Sequence, residues 1–76
     1  MEEELSYGER TVGLQLNPSS RDPDVDAIKQ YYASIIDVMV EKKQSASGEK
    51  YQLLSIAVTE AQTAQMWAVK ALTWKD

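Results

Sequence analysis

Apolar positions recur with a helical period over most of this chain. From Leu54 to Trp74 there is no Gly or Pro, and Ala, Leu, Met and Gln are frequent. That composition predicts a helix. One stripe, Tyr51, Leu54, Val58, Ala61, Ala68 and Leu72, advances by threes and fours, with Gln65 as its polar break. A second stripe runs Leu53, Ala57, Ala64, Trp67, Ala71 and Trp74. The remaining side carries Thr59, Gln62, Thr63, Met66, Val69, Lys70 and Thr73, and is nearly uncharged. A surface helix normally pairs one apolar face with one charged face. This one expects cover on more than one side. Upstream, Val25, Ile28, Tyr32, Ile35 and Met39 predict an earlier helix over Pro23 to Lys43. Asp22 is placed to cap it, Pro23 suits its first position, and Asp24 and Asp26 suit its positive end. Lys42 and Lys43 suit its negative end. Gln44 to Gly48 reads as a loop, with Ser47 as the cap of the later helix. Long helices joined by a short loop pack antiparallel.

The start of the chain reads differently. Met1 to Glu9 is acidic and is expected to form a flexible arm, leaving residues 10–76 as a single helical-hairpin domain. In Arg10 to Leu16, Val12, Leu14 and Leu16 alternate with Thr11, Gly13 and Gln15, a short strand pattern. No second strand pattern follows. The segment either lies extended over the helices or pairs with another subunit. Asn17 to Asp24 is a turn cluster. The expected fold is therefore mainly α: an antiparallel two-helix hairpin with a short N-terminal extended segment. A lone pair of long helices encloses no core, so the hairpin is expected to assemble into a homo-oligomeric helical bundle.

Composition narrows the chemistry. A chain of 76 residues is short enough that its core is marginal. It has no Cys and no His, which excludes disulfides and Cys/His zinc sites. Oligomerisation remains as the means of support. The net charge of −4 argues against binding a nucleic-acid polymer through a basic surface. No apolar run approaches membrane-span length, and the N-terminus does not read as a signal peptide. Catalysis finds no support: without His or Cys there is no ordinary triad and no thiolate. Glu60 is the only acid in the central run of the later helix. Asp37 and Glu60 together make a weak case for a cation. No cofactor is expected.

Longer stretches are more specific. Val12-Gly13-Leu14, Leu16-Asn17-Pro18-Ser19, Ile28-Lys29, Ile35-Ile36-Asp37 and the run from Ser55 to Ala71 resemble a phage family. These are the anti-defence sponge proteins with a helical-hairpin domain. One branch is anti-Thoeris and sequesters cyclic ADP-ribose signals; the other is anti-CBASS and sequesters cyclic oligonucleotides. The resemblance spans Glu9 to Trp74, and the turn at Asn17 to Ser20 looks closer to the Thoeris branch. It implies a symmetric homohexamer with a dimer as the minimum, which captures intact cyclic nucleotides in the host bacterial cytoplasm during infection.

Candidate site residues follow from both readings. Leu16, Asn17, Pro18, Ser19, Ser20 and Arg21 make an ordinary turn before a capped helix. They also offer hydroxyls, N–H groups and a guanidinium for a phosphate. Lys29 is a solvated cation by itself; the resemblance brings it to the ligand. Thr59, Gln62, Thr63, Met66, Lys70 and Thr73 read either as neutral filling of an interface or as a wall that meets base, ribose and phosphate. Trp67 and Trp74 suit an oligomer core or a stacked adenine. The competing class is a structural adaptor that binds another protein through an apolar helix face.

Overall fold

A computed structural model describes residues 4–13 and 22–75. The elements are α1 (Tyr7–Thr11), α2 (Pro23–Lys43) and α3 (Gly48–Leu72). The two long helices pack on each other as an antiparallel hairpin, and α1 packs on α2.

The bounds of α2 follow its end signals. The Asp22 carboxylate accepts the Asp24 N–H at 2.8 Å, Pro23 opens the helix, and Lys42 and Lys43 close it. Each feature favours its own end of the helix dipole. Across the loop, the Lys43 ammonium lies 4.8 Å from the Tyr51 ring centroid. Ser47 precedes α3 but makes no side-chain cap. The helix ends at Leu72, short of Trp74, where the Thr73 hydroxyl donates to the Val69 carbonyl at 2.8 Å.

The strand expected over Arg10 to Leu16 is replaced, in its described part, by helix and turn. Ser6 and Glu9 form a reciprocal capping box. The Ser6 hydroxyl accepts the Glu9 N–H at 3.1 Å, and the Glu9 carboxylate accepts the Ser6 N–H at 2.8 Å. Two donors at the helix start are thereby satisfied, which strand geometry would leave open. Gly13, at φ +79°, ends the turn with its N–H on the Arg10 carbonyl at 3.1 Å. Residues 14–16 lie outside the described residues.

A helix of five residues is not stable alone. Asp37 of α2 holds this one in place. Its carboxylate accepts the Ser6 hydroxyl at 2.6 Å and the Gly8 N–H at 2.7 Å. Ser6 to Glu9, assigned by sequence to an acidic arm, are thus the docked part of the N-terminus. Gly8 is where the two backbones cross. A Cβ there would run into the Ala33 carbonyl oxygen and stand 2.7 Å from Asp37 Oδ1. Only glycine permits that approach.

Docking α1 gives the hairpin the core it lacks by itself. Val12, Ala33, Ile36 and Val58 form one buried cluster, flanked by Tyr32, Met39, Val40 and Ala61. Burying each branched side chain contributes roughly 1.5–3 kcal/mol. Gln65, the expected polar break of the stripe, is buried, and its amide donates to the Val12 carbonyl at 3.4 Å. It supplies the donor that this enclosed carbonyl needs. The molecule is nonetheless thin, 43 × 40 × 12 Å, so most side chains stay near a surface.

Candidate functional site

The buried side of α3 is the line Leu54, Val58, Ala61 and Gln65. At 100° per residue the opposite side is Gln52, Ile56, Thr59, Thr63, Trp67 and Lys70, with Trp74 just beyond the helix end. This outward face is where most of the sequence-predicted wall lies. It is open along its length: Ile56 is 51% exposed, Met66 67%, Trp67 65% and Trp74 64%. Among the described residues of α3, the charged positions on it are Glu49, Glu60 and Lys70.

The hydroxyls on this face are turned inward to the helix. Ser55 donates to the Tyr51 carbonyl at 3.0 Å, Thr59 to Ser55 at 3.2 Å and Thr63 to Thr59 at 3.1 Å. Each hydroxyl keeps acceptor capacity, while its carbon side faces out. The face is therefore less polar than its residue names suggest.

Two shallow concavities interrupt it. One, of roughly 310 Å³, is lined by Gln52, Ser55, Ile56, Thr59 and Glu60. The other, of roughly 240 Å³, is lined by Thr63, Met66, Trp67 and Lys70. Lys70 lies between two indoles, its ammonium 5.4 Å from the Trp67 ring centroid and 5.7 Å from that of Trp74. Such contacts favour a cation over an aromatic face.

The expected site residues are thus divided. Met66 and Lys70 share one concavity, and Thr59 lines the other. Gln62 is turned away from both, and its amide donates to the Tyr7 hydroxyl at 3.4 Å. Lys29 sits on α2, where its ammonium donates to the Gly13 carbonyl at 3.3 Å. Leu16, Asn17, Pro18, Ser19, Ser20 and Arg21 lie outside the described residues. One chain therefore offers an open wall, with Lys29 engaged elsewhere.

Asp37 and Glu60 do not form the cation pair considered from sequence. Asp37 is taken up by Ser6 and Gly8, while Glu60 borders the outward concavity. Among the described residues no group of three or more acidic side chains could hold a metal ion. No helix among them is long and apolar enough to cross a membrane. The sequence reading missed Gln52 and Ser55 as lining residues; their spacing from Thr59 and Thr63 is the signal that places them on this face. No protein-family model, curated protein or solved structure matches the chain.

Proposed function

We propose that the protein is a phage inhibitor of bacterial immunity that binds cyclic nucleotide signals and holds them without cleaving them. Its ligands are cyclic ADP-ribose isomers or cyclic di- and trinucleotides, taken up by a homo-oligomer, a hexamer on the family's pattern, in the host cytoplasm. The reading starts from the resemblance of the Ser55 to Ala71 run to anti-Thoeris and anti-CBASS sponges. The observation that carries it is the outward concavity of α3. There a lysine beside indole rings adjoins Met66 and Thr63. A cation serves a phosphate, while an indole face and a thioether serve a base. No general acid, base or nucleophile is assigned a role.

A single concave wall cannot surround a nucleotide, and pockets for such ligands bury most of the ligand's surface. The reading therefore requires a second subunit to close the site. Calorimetry with cyclic ADP-ribose isomers and cyclic dinucleotides tests it. Wild type should bind at least one of them, more weakly as salt rises. Lys70→Ala should lose a charge-assisted bond of about 1.5–3 kcal/mol, roughly tenfold to more than a hundredfold in affinity. Equal affinity in the variant and the wild type would remove Lys70 from the site.

A second reading, a helical-hairpin adaptor, is favoured by another strip. Tyr31, Ile35 and Val38 stand one or two turns apart on α2 and are all exposed. Pull-down of one host protein that depends on Ile35, with no nucleotide binding, would select that reading.

A further inference from the structure

The two concavities of α3 differ in hydrogen-bond sense. They open to the same side of the helix, with centres about ten residues, or ~15 Å, apart. The one nearer the helix start is lined by acceptors. The Ser55 and Thr59 hydroxyl protons are spent on the Tyr51 and Ser55 carbonyls, so only lone pairs face out. The Glu60 carboxylate beside them accepts and cannot donate. Gln52 keeps donors at the far end, and Ile56 gives an exposed apolar floor. Among the described residues no cation lines this concavity. Lys50, the nearest lysine in sequence, stands on the other side of the helix. The second concavity has the opposite sense, because Lys70 brings three donors and a positive charge to it.

From this contrast we infer, building on the cyclic-nucleotide reading, that Glu60 reads a guanine base and that the captured signal carries at least one guanine. A carboxylate presents two acceptor oxygens side by side in one plane. Among the common bases, guanine alone presents two adjacent donors, its ring N–H and the amino group beside it. Adenine and cytosine set an amino group next to a ring-nitrogen lone pair, and uracil sets its one N–H between two carbonyls. Each of these turns an acceptor towards the second carboxylate oxygen.

Charge fixes the orientation. Glu60 repels a phosphate, which goes to Lys70, and the base takes the Glu60 end with its face on Ile56. A ligand with two bases and a phosphate between them uses both concavities: guanine at Glu60, the second base on Trp67 and Met66. That favours a guanine-containing cyclic di- or trinucleotide over a cyclic ADP-ribose isomer, whose one base is adenine.

Calorimetry on the full chain with cyclic di-GMP, cyclic di-AMP and cyclic di-IMP provides the test. The hypoxanthine of the last keeps the ring N–H of guanine and lacks its amino group. Wild type should bind cyclic di-GMP about tenfold or more tighter than cyclic di-AMP, with cyclic di-IMP between them. Glu60→Gln exchanges one acceptor for a donor, the pattern that adenine complements. Glu60 is exposed, so the fold should persist while the preference reverses towards cyclic di-AMP. A merely structural role for Glu60 would lower both affinities together and leave their ratio unchanged. Equal binding of cyclic di-GMP and cyclic di-AMP by wild type, or an unchanged ratio in Glu60→Gln, would overturn the guanine assignment. Capture of a cyclic ADP-ribose isomer alone would do the same. In each of these cases the cyclic-nucleotide reading stands, whereas failure to bind any of these nucleotides would remove both.

Discussion

Asp37 is the residue whose removal should most change the described fold. Its two carboxylate oxygens hold the Ser6 hydroxyl and the Gly8 N–H at 2.6 and 2.7 Å. Hydrogen bonds to a charged group are worth about 1.5–3 kcal/mol each when enclosed. These are part-buried, so about 2–3 kcal/mol for the pair is expected on Asp37→Ala. The loss has a ceiling, because α1 can leave α2 and rehydrate its donors. Undocking would then expose Val12, which is 4% accessible, and open the cluster it shares with Ala33, Ile36 and Val58. A chain of this length has on the order of 4–11 kcal/mol of stability in all, so the change is large. Asp37→Asn keeps one acceptor and can offer its amide to the Ser6 hydroxyl, losing mainly charge assistance. It should cost about half as much. Urea unfolding gives the free energies, and amide exchange at Val12 reports docking directly. If Asp37→Ala stays within 0.5 kcal/mol of wild type and the Val12 amide remains protected, the carboxylate is not what holds α1.

Other substitutions test separate parts of the account. Gly8→Ala drives a methyl group into the Ala33 carbonyl and should cost about 1–3 kcal/mol by urea unfolding. Its effect should add little to that of Asp37→Ala, since both release the same segment. Gln65→Glu places a carboxylate against the Val12 carbonyl. It should destabilise by about 2 kcal/mol or more at pH 7 and by less in acid, where a protonated carboxyl can donate. Val12→Ala should cost about 2 kcal/mol through lost burial. Ser55→Ala breaks only a bond within its own helix and should change thermal stability by less than about 0.5 kcal/mol.

The long helices were legible because their signals are local. Asp22, Pro23 and the lysines at 42 and 43 mark the ends of α2, and the apolar period marks its side. The N-terminal helix was misread because Val12, Leu14 and Leu16 alternate while the acidic residues before them resemble an arm. The motif Ser6-Tyr7-Gly8-Glu9 is nevertheless a capping box in plain sequence. What sequence could not carry is its anchor, since Asp37 lies 29 positions beyond Gly8 and joins it only in the fold. The partner of Gln65 was hidden for the same reason. Periodicity scores a side chain by its own polarity, and its partner is a backbone carbonyl 53 positions away. On the outward face, Met66 and Lys70, read as one wall with Thr59 and Gln62, line one concavity. Gln62 was grouped with them, but the Tyr7 hydroxyl, brought close by α1, draws its amide aside.

Capture without chemistry is the central functional claim, and recovery of the ligand tests it most directly. The purified protein is saturated with a cyclic ADP-ribose isomer or a cyclic dinucleotide, freed of excess by gel filtration, and then heat-denatured. The account predicts that the intact cyclic molecule co-elutes with the oligomer and is released unchanged on denaturation. Failure of every such nucleotide to co-elute, or release of a linearised product, would contradict it.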